Sequence, residues 1–256
     1  SWLVRIRRKR IAQVLKEEWQ RPCSNNVTIP TNYKITPTSD RTLLIHFGEN
    51  HSPDIQEAVF QLSHYLLNNS LEGVLNIHPG YMSILVAVDI EQISMQTMNK
   101  LLLQVIKNAQ EMELPGSVKV DIPVLYGGQH GIDLNRVAEL NGLSANEVIE
   151  LHSSGDYQVS FIGFTPGFPY ISGMVEKLAT PRLQNPRKHV PAGSIGIGGS
   201  QTGIYPSSTP GGWNLIGRTP IHIFDIQHPE KALLKMGDRI SFNPISETEF
   251  ERWKQT

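Results

Sequence analysis

Arg187, Lys188 and His189 stand side by side immediately before Val190-Pro191. Three such donors in a row suit a carboxylate or a phosphate, because charged donors make short, strong hydrogen bonds to anions. A solvated basic turn has the same composition, so both readings stay open. Gln201 and Thr202 form a second set, between Gly198-Gly199 and Gly203. Backbone without side chains lets a ligand come close there, and a β-bulge would use the same residues. Arg182, Tyr205, Asn214 and Arg218 add further polar groups. Lys188, His189, Gln201, Thr202, Tyr205 and Arg218 are the candidates for contact with a substrate or nucleotide. Their expected roles are orientation and anion stabilisation, and no catalytic nucleophile is assigned. Phe168, Pro169, Tyr170 and Trp213, with Phe164 nearby, either plug an interior or form an apolar patch for a protein partner; partner contact is the expectation carried forward.

The better-known chemistries lack their residues. Gly198–Gly203 has the glycine spacing of a phosphate loop, but Ile204-Tyr205 follows where Lys and Ser/Thr would hold phosphate and Mg²⁺. No G-x-G-x-x-G opens a helix after a strand. The nine histidines are scattered and Cys23 is the single cysteine, so no zinc motif forms. Gly193-Ser194-Ile195-Gly196 lacks the spacing of a serine nucleophile elbow.

These residues fall within Phe161–Asp225, a stretch dense in glycine and proline, with strand-like runs at Val159–Ile162, Ser194–Ile197 and Ile221–Phe224. Short strands joined by specified turns are expected. Upstream, Thr42–Phe47 reads as a strand. Asp54–Asn69 reads as a helix, with Ile55, Ala58, Val59, Leu62 and Leu66 on one face. Val74–His78 and Tyr81–Val88 read as strands around Pro79-Gly80, and Glu91–Glu113 as a helix. Val118–Tyr126 alternates as a strand. A helical pair follows, Asp133–Asn141 and a second helix to Ser153, with Gly142 between them and a Ser144–Glu147 capping box. The pair has a DNA-reading outline, but one base, Arg136, against four acids excludes phosphate contact. A turn at Lys235–Asp238, a strand Arg239–Phe242 and a terminal helix in Ser246–Thr256 complete the reading.

The fold class is therefore α+β. Residues 1–33 form a basic extension and linker, and a polar, proline-containing linker composition runs from Cys23 on to Thr38. Residues 34–116 form a small α/β sandwich, and 117–256 a closed β-barrel with a helical insertion near its start. The 256 residues carry 39% hydrophobic and 18% charged residues and a net charge of −1. That balance favours neither nucleic acid nor membrane. One cysteine and no long apolar run fit a cytoplasmic protein.

Four segments then carry a resemblance: Ile122–Tyr157, Gly163–Met174 (GFTPGFPYISGM), Ala179–Arg187 (ATPRLQNPR) and Val190–Pro220 (VPAGSIGIGGSQTGIYPSSTPGGWNLIGRTP). Together they closely resemble the allophanate hydrolase subunit 1 family. That family includes the Kip-type inhibitor of a sporulation histidine kinase and the B subunit of bacterial 5-oxoprolinase. The resemblance is dense over residues 122–243, weaker over 34–114, and absent from 1–31. It implies a cyclophilin-like barrel, without prolyl isomerase activity. It also implies two partners: a second, C-type subunit with a related barrel, and a lactam-utilisation subunit of the A type. The implied function is one subunit, inactive alone, of an ATP-dependent 5-oxoprolinase. ATP with Mg would be held by the assembled complex and not by this chain alone. The alternative is inhibition of a sensor histidine kinase at its dimerisation domain; a third is the carboxyltransferase half of a urea amidolyase. Ser200 stands where many members carry Asn, which puts any amide contact at that point in doubt.

Overall fold

The computed structural model describes residues 29–49, 52–69, 71–109 and 116–254. The basic segment expected to be an extension lies outside them up to residue 28. The chain divides into two compact units, one ending at Gly116 and the other starting at Ser117.

The first unit is an antiparallel sheet with two helices. Its strands are β1 (Lys34–Ser39), β2 (Thr42–His46), β3 (Val74–Pro79) and β4 (Ser83–Val88), in the order β1-β2-β4-β3. Helix α1 (Pro53–Asn68) and helix α2 (Met95–Ala109) accompany them. Alternation in β2 and β4 buries Leu43, Ile45, Ile84, Val86 and Val88 on one face. The helices bury Ala58, Val59, Leu62 and Leu66 from α1, and Met98, Leu102, Val105, Ile106 and Ala109 from α2. Ser52 caps α1 by accepting the Ile55 N–H, and Gln61 donates to Ala109 O at 2.7 Å, tying one helix to the end of the other. One expectation is corrected here. Residues 34–38, which the linker composition reached into, belong to the edge strand β1, paired antiparallel with β2. Its KITPTS sequence carries a proline and little apolar alternation, which an edge strand tolerates.

The second unit is a closed seven-stranded barrel. Its strands are β5 (Lys119–Tyr126), β6 (Tyr157–Ile162), β7 (Pro169–Ser172), β9 (Ser194–Gly198), β10 (Gln201–Ile204), β12 (Asn214–Arg218) and β13 (Arg239–Pro244), in the order β10-β7-β6-β13-β5-β12-β9. Every pair is antiparallel except β5 with β13. Two short strands, β8 (Arg187–Val190) and β11 (Thr209–Gly211), pair outside it. Helices α3 (Leu134–Asn141) and α4 (Ala145–Ser153) form the insertion between β5 and β6, and α5 (Glu247–Lys254) ends the described chain. Gly142 is left-handed (φ 63°) after α3, and the Ser144–Glu147 capping box opens α4. Ile221–Phe224, expected to be a strand, is irregular chain. Its alternation still has a use, because Ile223 is buried in the main core.

Candidate functional site

Successive residues of a strand face opposite sides, and β9 and β10 show what that permits. Ile195, Ile197 and Ile204 pack in the main core with Ile122 and Val124 of β5, and with Tyr157 and Phe242. Among them lies one polar chain. Helix α4 buries Val148 and, one turn on, His152. The Tyr126 hydroxyl is 2.8 Å from His152 Nδ1, His152 Nε2 is 3.0 Å from Thr202 Oγ1, and Thr202 Oγ1 donates to Gly196 O at 3.2 Å. These contacts fix the protons. Thr202 gives its hydrogen to a carbonyl, so its oxygen accepts from Nε2–H. A neutral ring then leaves Nδ1 as the acceptor for the Tyr126 O–H. Burial favours that neutral form, lowering the His152 pKa to about 3. Burial likewise raises Tyr126 and Tyr157.

Three outward positions of the same strands, Gly196, Gly198 and Gly203, are glycine, and rings supplied from elsewhere lie on them. Phe168, Val190, Tyr205, Trp213 and Leu215 form a separate buried cluster, with Tyr170 packed against it. A Cβ on Gly198 would lie 2.5 Å from the Trp213 ring, and one on Gly203 would lie 2.9 Å from Phe168. Only bare backbone lets the rings sit this close. The rings meet edge to face: Phe168 with Trp213 at 5.5 Å, Phe168 with Tyr205 at 5.2 Å, and Tyr170 with Trp213 at 5.8 Å.

Polar bonds clamp this outer layer to α3. Arg187 Nη2 bonds Asp133 Oδ1 at 2.7 Å, and Asp133 Oδ2 accepts the buried Leu215 N–H at 2.7 Å. Asp133 precedes α3 but makes no side-chain cap bond, because both of its oxygens are engaged elsewhere. Asn214 accepts from Arg136 Nε and donates to Pro181 O and Ile197 O. Arg182 lies over the Trp213 ring, its Cζ 5.6 Å from the centroid.

Loops converge at the barrel end where β6 stops, β7 starts, β10 stops and β12 stops. Gly193 N–H bonds Tyr205 O, Thr219 N–H bonds Gly193 O, and Arg218 Nε donates to Ala192 O at 2.8 Å. A groove of about 510 Å³ opens there, lined by Pro166, Ser207, His222, Phe224, Asp225 and Ile226. Ser208, next to Ser207, is 2.7 Å from His189 Nε2. Beside the groove, Phe164 has φ 66° and is 60% exposed. A bulky residue held in the left-handed region costs about 1–3 kcal/mol and tends to occur at functional loops. Ile226 is 72% exposed.

The structure thus separates the residues singled out by sequence. His189 and Arg218 belong to the loop end. Gln201 pairs with Gly198, whereas Arg218 pairs with Ser194 at the other end of β9, about 13 Å away at strand spacing. Lys188 is exposed and Gln201 half-buried. Thr202 and Tyr205 have essentially no exposed surface, which corrects their assignment to ligand contact: Thr202 serves the interior chain and Tyr205 the ring layer. Phe168, Pro169 and Trp213 are buried too, so they hold the outer layer together and are not a patch facing a partner. Tyr170 is half-buried, and the exposed apolar residues at the loop end are Phe164 and Ile226. Gly198–Gly203 is a hairpin whose Gly199 N–H bonds Thr180 O, so it is not a phosphate cradle. Sequence reasoning misses His152 and Asp133. The spacing of His152 from Val148, on the buried face of the helix, is the one available signal.

Residues 33–234 match the family model described as carboxyltransferase domain, subdomain C and D. The chain is 37% identical over 233 residues to the 5-oxoprolinase B subunit of Bacillus subtilis (strain 168), covering 87% of this chain and 97% of that one. It is 54% identical over 133 residues to the 5-oxoprolinase B subunit of Escherichia coli O157:H7, covering 52% of this chain and 61% of the relative. Among solved structures, TTHA0988 superposes with a TM-score of 0.70 at 34% identity, over 80% of this chain and 40% of that one.

Proposed function

The chain belongs to the carboxyltransferase domain family, subdomains C and D, and from that membership we propose that it acts as the B subunit of an ATP-dependent 5-oxoprolinase. The observation that carries the reading is the match to a 5-oxoprolinase B subunit over 97% of that relative's length.

The reaction couples 5-oxoproline, ATP and water to glutamate, ADP and phosphate. A five-membered lactam resists hydrolysis because its amide is resonance-stabilised. Transfer of the γ-phosphoryl group to the amide oxygen makes that oxygen a leaving group. Water then adds to the carbon and the C–N bond opens to leave an acyl phosphate, which a second water hydrolyses to the glutamate carboxylate and phosphate. ATP with Mg²⁺ belongs to the assembled complex. Among the described residues no cluster of His, Cys, Asp or Glu suits a metal ion.

What this chain contributes is a set of oriented polar groups beside an open groove. His189 and Ser208 face each other at hydrogen-bond distance, and Lys188 stands exposed on the same strand. Arg218 keeps one N–H on Ala192 O and has four further donors. These groups leave a site for other chains to complete: a second barrel subunit of the C type, and a lactam-utilisation subunit of the A type. The exposed Phe164 and Ile226 supply apolar contact for such a neighbour. The reading places the complex in the cytoplasm.

The experiment is reconstitution. With its A-type and C-type partners, the purified chain is expected to give ATP hydrolysis that depends on 5-oxoproline. Equal turnover when this chain is omitted would reject the reading.

A further inference from the structure

Arg182 differs from the other arginines whose side-chain bonds are known. Arg187 is paired with Asp133, Arg239 with Asp156, and Arg41 lies near Asp40. Arg136 and Arg218 donate to oxygens of Asn214 and Ala192. None of the ion pairs among the described residues includes Arg182. It is exposed, yet it is held in place. The residue before it is pinned by Asn214 Nδ2 on Pro181 O at 2.9 Å, and the residue after it by Leu183 N–H on Gly212 O at 2.7 Å. Its guanidinium rests on Trp213, whose own position is set by the bare backbone of Gly196 and Gly198. Tyr170 meets the edge of the same indole. The charge of Arg182 reaches both neighbouring phenols, opposing the burial that raises Tyr170 and Tyr205.

A guanidinium within cation–π range of an aromatic face keeps its hydrogen-bond donors available, and its fork matches a carboxylate bidentately. The pinned backbone and the neighbouring indole remove part of the ordering cost of such a contact. We propose that Arg182, on its Trp213 platform beside Tyr170, binds the carboxylate of the lactam acid. This rests on the 5-oxoprolinase activity proposed above and places the lactam acid at the outer ring layer, apart from the loop-end groove. 5-Oxoproline carries one carboxylate, which takes no part in ring opening, so it is available as a handle. A group bound equally in ground and transition state changes KM more than kcat.

The test uses the complex reconstituted with this chain. Arg182→Met keeps the stem over the indole and removes the fork. It is expected to raise KM for 5-oxoproline about tenfold to a hundredfold, the range for a lost hydrogen bond to a charged group, with kcat and KM for ATP little changed. Arg182→Lys, a point charge without the fork, should fall between. The uncharged lactam 2-pyrrolidinone should be used as poorly by the wild-type complex as by the Arg182→Met complex. Thermal unfolding of the isolated variants should match wild type, since Arg182 is exposed. An unchanged KM for 5-oxoproline, or a rise in KM for ATP instead, would overturn the carboxylate site. A wild-type complex that does not respond to 5-oxoproline would overturn the functional reading beneath it, and the two failures look different in the same assay.

Discussion

The two faces of β9 and β10 solve one packing problem in opposite ways. Inward, the strands supply their own bulk through Ile195, Ile197 and Ile204, and the one polar chain among them is closed by its own hydrogen bonds. Outward, they supply little bulk beyond Ser194 and Gln201. Gly196, Gly198 and Gly203 leave backbone bare, and the covering comes from Phe168, Tyr205 and Trp213. The inner face fixes the barrel, while the outer face fixes where distant residues land. Arg182 and Arg187 both depend on that second arrangement, the first through the Trp213 ring and the second through Asp133. Arg182 and Arg187 are therefore positioned by a face of the strands that is mostly glycine.

Breaking the outer face should have the largest effect. Trp213→Ala removes the ring that Phe168 and Tyr170 pack against, and is expected to destabilise the barrel by about 4 kcal/mol, read as a fall in the urea midpoint. Filling the face from the other side should do less. Gly198→Ala places a methyl 2.5 Å from the indole and should lose about 2 kcal/mol by overpacking. If Gly198→Ala were as stable as wild type, close approach would not be the reason for glycine there.

The inner face is best tested by pH. The folded pKa of His152 is about 3, below its ordinary value near 6.5. Below pH 6.5 the unfolded chain takes up a proton that the folded chain refuses. Stability from this group is thus present above pH 6.5 and lost as pH falls toward 3, at about 1.4 kcal/mol per pH unit. His152→Phe should remove that slope from the stability difference measured between pH 6.5 and 4.5. A slope identical to wild type would mean that His152 titrates freely in the folded protein.

How much of this the sequence disclosed follows the same division. The apolar spacing of Ala58, Val59, Leu62 and Leu66, the alternation of β5, and the Ser144–Glu147 box are local signals, and each points to the right element. The barrel and its helical insertion can be read from them. The outer layer cannot, because glycine states where bulk is absent and not which ring fills the gap. Trp213 and Phe168 look as suited to a partner as to an interior. Ile221–Phe224 carries a strand's alternation, but its one core residue, Ile223, is buried without any ladder. His152 and Thr202 are fifty residues apart, and nothing local to either announces the other. Arg182 is visible as a polar residue. Its freedom from an acid partner, which makes it interesting, is a property of three dimensions.

The pairing of β5 with β13 bears on time as well as on shape. The first strand of the barrel finds its partners only in β12 and β13, the last two. Such distant pairing makes closure slow. While the chain emerges during synthesis, β5 must wait with both edges open until nearly the whole unit has been made. Over that interval an alternating, apolar strand is exposed to other chains, which makes this step the one most in need of a chaperone or of a prompt neighbouring subunit.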